Sequence, residues 1–166
     1  PIGCPGISRL ASRRKHVTII TDDRTRPTPA DKLIPAILRE LESTGVKDKD
    51  VTVVVGRGLH PKATESELAS KIGRTIIERL NVEDHDADSG CVSVGRTSNN
   101  VPVSVNSTVV KYELKIGLGS IFPHELLGFT GGSSIVLPGI ASRETINRNH
   151  ALVGRFDARF GGIEGN

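Results

Sequence analysis

The sequence predicts an α/β domain built on a mostly parallel sheet, with helices on both faces and a small β-hairpin insertion. Short β-branched runs at 17–21 and 51–55 alternate with segments of helical periodicity, which is typical of strands joined by crossover helices. The second run is almost entirely apolar, as expected for a strand covered on both faces. A pair of alternating segments around Asn99 and Asn100 indicates the hairpin.

The first half of the chain contains two strand–loop–helix units. A strand at 17–21 precedes a helix at 30–43, whose apolar residues recur at helical spacing. These residues are Leu33, Ile34, Ile37, Leu38 and Leu41. A strand at 51–55 precedes a capping box at 64–67, Thr-Glu-Ser-Glu, which predicts a helix that runs to about Leu80.

The middle of the chain changes character. The acidic composition of 84–90 is typical of a loop. Segments 91–97 and 101–105 then alternate around the asparagine pair, which tolerates the left-handed backbone of a tight turn. These segments are the predicted hairpin.

The last third of the chain predicts one more unit of the sheet. The run 113–118 predicts another central strand that leads directly into Pro123 and His124. A final helix is predicted from Ala141 to about Val153, with Ser142 or Arg143 near its start.

Size and composition limit the possible functions. The 166 residues fit one domain, 1–166, and both ends suggest a fragment of a longer chain. A net charge of +3 and an aromatic content of 3% argue against nucleic-acid binding and suit a small anionic ligand. Two cysteines make no disulfide framework, and no apolar run approaches the roughly 18 residues of a membrane span. We therefore expect a cytoplasmic protein with no membrane partner.

The loop that follows the first strand combines charge, hydroxyls and prolines. In a parallel sheet, ligands bind beyond the carboxyl ends of the strands, which directs attention to the loops 21–29, 56–63 and 119–134. In the first loop, Arg24 or Arg26 could bind a phosphate in a bidentate manner, while Asp23 orients the arginine or accepts from a ribose hydroxyl. The alternative is a proline-rich helix entry in which these charges satisfy one another.

The other two loops each carry a histidine. His60 lies between small residues after the second strand, and His124 precedes the glycine turn Gly131-Gly132. Histidine can act as a general acid or base near neutral pH, and paired glycines allow backbone N–H groups to converge on an anion. Each feature alone is compatible with a solvated histidine or a plain turn. Convergence of the three loops in one crevice favours a catalytic site.

Three further histidines have separate interpretations. His150 lies in the last predicted helix and is either a metal ligand, because imidazole suits nickel, zinc or copper, or a surface residue. His85 lies in an acidic cluster that suits either a metal or a hydrated loop, and His16 before the first strand is predicted to be structural.

The ordered set of motifs resembles the amino-terminal domain of the nickel-pincer lactate racemase family. The motifs are Asp23-Arg24-Thr25-Arg26-Pro27-Thr28-Pro29, Gly58-Leu59-His60, Pro123-His124, Gly128-Phe129-Thr130-Gly131-Gly132, Pro138-Gly139, Glu144-Thr145-Ile146 and Asn149-His150. The resemblance covers nearly the whole chain, and the order and spacing of the motifs make it specific.

This resemblance implies a racemase or epimerase of 2-hydroxy acids that transfers hydride to a nickel-pincer pyridinium mononucleotide. It implies His60 and His124 as the acid/base pair and His150 as the nickel ligand. The cofactor-binding residues that it implies are Asp23, Arg24, Thr25, Arg26, Thr130, Gly131, Gly132 and Ser134. It also implies a carboxyl-terminal domain that completes the substrate site and is absent from these 166 residues, so that the fragment alone is inactive.

Two positions depart from the family pattern. The family carries a lysine two residues after the glycine pair, which tethers the cofactor covalently, but this chain has Ser134. Pro61 and Lys62 follow His60 where the family has arginine directly after the histidine, which leaves recognition of the substrate carboxylate open. The alternatives are a cofactor held without a covalent link, or a non-catalytic nucleotide- or phosphate-binding module. A hydrolase is disfavoured because no nucleophile elbow or paired catalytic carboxylates appear.

Overall fold

The protein is described by a computed structural model that covers residues 2–13, 16–125, 127–152 and 160–163. The strands in chain order are β1 Val17–Asp22, β2 Val51–Gly56, β3 Asn81–Asp84, β4 Cys91–Arg96, β5 Pro102–Asn106, β6 Leu114–Leu118, β7 Pro123–His124 and β8 Gly128–Phe129. The helices are α1 Ile7–Ala11, α2 Ala30–Glu42, α3 Glu65–Ile72, α4 Arg74–Arg79, α5 Ser107–Lys111 and α6 Arg143–His150. Two short 3₁₀ helices span Asp48–Asp50 and Gly132–Ile135.

Four parallel strands form the central sheet, in the order β3-β2-β1-β6. Alternate side chains of the two middle strands, such as Val17, Ile19 and Val53, pack against α1 to α4. The helices contribute Ile34, Leu41 and Ile72, all of which are fully buried. Burial of such aliphatic side chains stabilises the layer by about 1.5–3 kcal/mol per residue.

The opposite face of the sheet is covered by the hairpin and by shorter helices. Ile20 and Val54 pack there against Val105 of β5, Val109 of α5 and Ile146 of α6. β4 and β5 form an antiparallel pair, and Asn100 in their turn has φ 60°. The predicted fold class, including the hairpin insertion, is confirmed.

Three details differ from the sequence-based expectation. Thr64 caps α3 with the predicted capping box, but Gly73 has φ +90° and divides the predicted helix into α3 and α4. The short strand β3 pairs with β2 and was not predicted, because Val82 is its only apolar residue. β6 is an edge strand of the sheet rather than a central strand.

The final helix begins where expected. The Ser142 side chain caps α6 by accepting a hydrogen bond from the N–H of Thr145. The helix ends at His150, and the predicted end at Val153 lies outside the described residues. No helix in the described part of the chain is long and apolar enough to cross a membrane.

The register of the sheet determines where the loops begin. Asp22 of β1 lies beside Gly56 of β2, and Thr21 lies beside Leu118 of β6. Because these strands are parallel and end at the same level, the loops 21–29, 56–63 and 119–134 leave from one edge of the sheet.

Candidate active site

A cleft of about 260 Å³ lies at this edge of the sheet. The three loops and the end of α6 line it. The predicted site residues that line it are Asp23, Arg26, His60, His124, Thr130, Gly131, Ser134 and His150. Arg24, Thr25 and Gly132 are not among its lining residues. The structure therefore brings together both loop histidines, the glycine turn and His150.

His60 is oriented by a carboxylate from the neighbouring loop. Nδ1 of His60 lies 2.8 Å from Oδ2 of Asp23, whose side chain is buried. The other oxygen of Asp23 accepts hydrogen bonds from the backbone N–H and the hydroxyl of Thr25, at 3.2 and 2.6 Å. Thr25 thus fixes the orientation of the Asp23 carboxylate, and this carboxylate in turn orients the ring of His60.

The loop that carries His60 is held at both ends by Asp84, at the end of β3. The Arg57 guanidinium lies 3.5 Å from Oδ1 of Asp84 and donates a 2.5 Å hydrogen bond to the carbonyl of His60. Oδ2 of Asp84 accepts from the N–H of Ala63 at 3.1 Å. Burial raises the pKa of the Asp84 carboxyl, against the opposing effects of the Ala63 hydrogen bond and the Arg57 charge. Arg57 and Asp84 are not among the predicted site residues, because their pairing depends on the unpredicted β3.

The backbone of the His60 loop also packs closely against the backbone of Pro138 and Gly139. Gly58, with φ +54°, donates from its N–H to the carbonyl of Gly139 at 2.9 Å. A Cβ on Gly139 would lie 2.1 Å from the carbonyl oxygen of Ile135, so no other residue fits. The Leu137–Pro138 peptide is cis. The Pro138-Gly139 motif therefore forms the surface on which the His60 loop packs.

The region around His124 is held mainly by backbone hydrogen bonds. His124 lies on β7, and its Nδ1 accepts from the N–H of Leu127 at 3.3 Å. The hydroxyl of Thr130 donates to the carbonyl of Ser120 at 2.8 Å and accepts from the N–H of Phe122 at 3.2 Å. Thr130 lines the cleft, but its hydroxyl is engaged with the backbone of its own loop.

The glycine turn brings the backbone close to the cleft. Gly131 has φ +81°, and a Cβ there would lie 2.8 Å from Cγ1 of Ile121. Gly132 follows with φ +53° and starts the 3₁₀ helix Gly132–Ile135. Both glycines use backbone conformations that side chains disfavour.

The two arginines of the first loop have different surroundings. Arg24 is paired with Glu67 at 3.2 Å on the exposed surface. The Arg26 guanidinium lines the cleft 5.5 Å from the centre of the Phe122 ring, and no described carboxylate pairs with it. Arg26 is therefore the arginine best placed to bind an anionic ligand in the cleft.

A buried lysine holds the first loop in place. Nζ of Lys71 donates to Oδ1 of Asp22 at 2.7 Å and to the carbonyls of Arg26 and Thr28 at 2.9 and 3.1 Å. The Thr28 hydroxyl bonds Oδ2 of Asp22 at 2.5 Å and lies 2.9 Å from the Ser120 hydroxyl of the third loop. Lys71 is not among the predicted site residues, although its spacing of three from Leu68 places it on the apolar side of α3.

The remaining histidines differ in burial. His150 is exposed and lines the cleft from the end of α6. His85 is fully buried, with Nε2 3.0 Å from the carbonyl of Ala141 and Nδ1 3.4 Å from the amide nitrogen of Asn106. Burial lowers the pKa of His85, so it is a neutral structural residue rather than part of a hydrated loop. His16 stacks on Tyr112 with ring centres 5.7 Å apart.

The described residues contain no group of three or more His, Cys, Asp or Glu side chains arranged to hold a metal ion.

Two loop histidines, an arginine and a glycine turn thus lie in one crevice of an α/β domain, an arrangement whose groups are suited to anion binding and proton transfer. The model of the lactate racemase N-terminal domain family matches residues 1–160. The chain belongs to this family.

Two lactate racemases are similar to the chain in sequence. The protein from Lactiplantibacillus plantarum is 35% identical over 153 residues, which cover 91% of this chain and 36% of that protein. The protein from Thermoanaerobacterium thermosaccharolyticum is 32% identical over an alignment that covers 100% of this chain and 40% of that protein. The chain thus spans well under half the length of these relatives.

Solved structures show the same fold. The lactate racemase apoprotein from Thermoanaerobacterium thermosaccharolyticum superimposes with a TM-score of 0.93 at 31% identity, over 99% of this chain and 40% of that one. A protein from Thermotoga maritima superimposes with a TM-score of 0.76 at 24% identity, over 96% and 44%. The second similarity concerns the fold alone.

Proposed function

We propose that the chain is the cofactor-binding domain of a racemase or epimerase of lactate-like 2-hydroxy acids. The observation that carries the proposal is the single cleft that contains His60, His124, Arg26 and His150. A reaction at the carbon of a hydroxy acid needs a group that moves the hydroxyl proton and a cation for the anionic ligand. The cleft offers both, and the similar lactate racemases support this substrate class.

The cleft residues fit a nickel-pincer pyridinium mononucleotide. Arg26 is available for a phosphate, and the backbone at Gly131 allows close approach of a ligand. His150 supplies one imidazole, which suits nickel if the other donors belong to the cofactor itself. When bound, this group would supply the hydride acceptor.

The cofactor would be held without a covalent link. Ser134 lines the cleft at the position of the family's tethering lysine, and no described lysine lines the cleft. Lys71, nearby, directs its three donors to Asp22, Arg26 and Thr28. A serine hydroxyl cannot replace the amine of the tether, so ionic and hydrogen-bonding contacts would retain the cofactor.

Side chains of the cleft would carry out proton transfer and anion binding. His60, held by Asp23, would accept the hydroxyl proton, and Arg26 would bind an anionic group of the cofactor or substrate. The greater length of the relatives supports a carboxyl-terminal domain that completes the substrate site. We expect the isolated chain to bind the cofactor without turning over substrate, and we expect it in the cytoplasm.

Metal and mass analysis test this proposal. The chain, produced in cells that make the cofactor, should contain nickel and absorb as a pyridinium compound after gel filtration, while its denatured mass is unchanged. A version that carries the carboxyl-terminal part of its relatives should then racemise at least one of a panel of 2-hydroxy acids. Absence of nickel together with absence of racemisation would contradict the proposal, and a mass increase would contradict the non-covalent link.

The presence of Ser134 favours one second candidate, a phosphate-binding module without catalysis. In that case His60→Ala would leave ligand affinity and function unchanged, whereas Arg26→Ala would weaken binding. In the racemase, His60→Ala abolishes turnover by the version with the carboxyl-terminal part.

A further inference from the structure

The two cleft histidines have different partners at the same ring atom. In both rings Nδ1 is engaged by the protein, with the Asp23 carboxylate at His60 and the backbone N–H of Leu127 at His124. A carboxylate accepts hydrogen bonds, whereas a backbone N–H only donates them. A neutral imidazole carries one proton, and the partner of one nitrogen determines which nitrogen holds it.

At His60 the partner requires a proton on Nδ1. A carboxylate only accepts hydrogen bonds, and in Asp23 Oδ1 takes the two donors of Thr25 while Oδ2 faces the ring. Asp23 therefore has no hydrogen of its own for His60. Nε2 of the neutral ring is left with its lone pair, and His60 is exposed and lines the cleft.

At His124 the partner requires the opposite arrangement. Nδ1 receives the Leu127 N–H, so in the neutral ring it must be unprotonated. The proton then belongs to Nε2. A proton on Nδ1 as well would place two N–H groups against each other and break the hydrogen bond that closes the loop between β7 and β8.

The geometry points to a polarised pair: Asp23 and the Leu127 amide hold the cleft histidines in opposite neutral tautomers, with an acceptor at Nε2 of His60 and a donor at Nε2 of His124. Asp23 is thereby a positioning residue for His60. The two histidines are chemically different before any ligand arrives.

If the two histidines hold opposite tautomers, the orientation of a bound substrate follows; this step rests on the proposed function. A 2-hydroxy acid has a hydroxyl donor next to carboxylate acceptors. The hydroxyl would lie at Nε2 of His60, which can take its proton. A 2-keto acid has no such donor, so it should bind less tightly than the matching hydroxy acid in this orientation.

Long-range ¹H–¹⁵N correlation spectra of the ¹⁵N-labelled chain in alkaline buffer measure the tautomers directly. Protonated and unprotonated ring nitrogens have well-separated ¹⁵N shifts, and loss of signals in His60→Gln and His124→Gln assigns each ring. His60 should be protonated at Nδ1 and His124 at Nε2. His85 is an internal reference for the second pattern, because its Nε2 faces the Ala141 carbonyl. The same tautomer in both cleft rings would overturn the inference.

Asp23→Asn tests the role of the carboxylate. The two Thr25 donors should hold the amide oxygen on their side, so the NH₂ group faces His60 and moves the ring proton to Nε2. His60 should then exchange the shifts of its two nitrogens, while His124 is unchanged. The exposed Asp31→Asn is the matched control and should move neither ring. An unchanged His60 tautomer in a folded Asp23→Asn variant would remove Asp23 from the inference.

These measurements need neither cofactor nor turnover, so their failure is distinguishable from failure of the proposed racemase function. If Asp23→Asn does not fold, the wild-type spectrum still decides between opposite and equal tautomers.

Discussion

The two loops that carry the cleft histidines are stabilised by different kinds of contact. The His60 loop depends on charged side chains, namely its own Arg57 together with Asp23 and Asp84 from other parts of the chain. The His124 loop depends on its own backbone and on Thr130. Single substitutions should therefore disturb His60 through distant residues, whereas His124 should respond mainly to changes within its loop.

A pair of glycine substitutions should have the largest effect on stability. In Gly139→Ala the new Cβ would meet backbone atoms of Ile135, which cannot move independently, so we expect a loss of about 3 kcal/mol or more. In Gly131→Ala the Cβ would lie 2.8 Å from Cγ1 of Ile121 and 3.0 Å from the carbonyl oxygen of Ser120, contacts less severe than the 2.1 Å contact at Gly139, and the positive φ should cost about 1–2 kcal/mol. Urea unfolding measures both.

Gly6→Ala is the control for this pair, because Gly6 has φ −62° and no atom within 4 Å of an added Cβ. Because Gly6 is the N-cap of α1, where glycine is preferred to alanine, the substitution should cost about 1 kcal/mol at most, well below the loss in Gly139→Ala. Equal losses of stability in Gly139→Ala and Gly131→Ala would show that the two loops tolerate backbone crowding equally. This would contradict the difference in stabilising contacts described above.

A pair of arginine substitutions should have an intermediate effect. Arg26→Ala removes the cleft cation that has no described carboxylate partner, so affinity for a phosphate-containing ligand should fall about 10- to 100-fold, as expected for about 1.5–3 kcal/mol. Arg24→Ala removes a surface charge paired with Glu67 and should leave affinity nearly unchanged. Titration calorimetry with a pyridine mononucleotide measures both, and a larger loss in Arg24→Ala would contradict the assignment.

The smallest expected effect is a difference in pH dependence between two carboxylates. Burial raises the pKa of Asp84, so the folded chain holds this proton more tightly than the unfolded chain. Its contribution to stability falls as the pH rises from about 3.8 through the higher folded value. The Arg143 hydrogen bond lowers the pKa of Asp88, whose contribution is present above about 3.8 and is lost as the pH falls through the lower folded value.

Unfolding free energies at several pH values compare wild type with Asp84→Asn and Asp88→Asn. As the pH rises, the stability of wild type should fall relative to Asp84→Asn and rise relative to Asp88→Asn. If the stability of wild type changed with pH in the same direction relative to both variants, burial would not be the main influence on the pKa of Asp84. That result would contradict the description of Asp84 as a buried carboxyl that holds the His60 loop.

The sequence was most informative where a single segment determines its own structure. The apolar run of β2 and the periodicity of α2 predicted both elements within a residue or so. β3 was missed because its sequence, Asn-Val-Glu-Asp, has no strand pattern and it forms only by pairing with β2. The edge position of β6 also depends on the order of the strands, which its composition does not specify.

The same limit applies to the site. The loop histidines were found because the carboxyl ends of parallel strands must share an edge. The contact between Asp23 and His60 joins residues 37 positions apart, and no local pattern indicates it. Nor does the sequence distinguish Arg24, at the surface, from Arg26, in the cleft, since both lie in the same short turn.

The turn that carries Ser134 does not depend on the side chain at that position. Its structural contacts are made by the backbone, with the N–H of Ser134 donating to Gly131 and its carbonyl accepting from Gly139. No described hydrogen bond uses the Ser134 hydroxyl. On the proposed function, a lineage could therefore gain or lose a covalent anchor at this position by exchange of one side chain while the scaffold stays intact, and a designer could do the same.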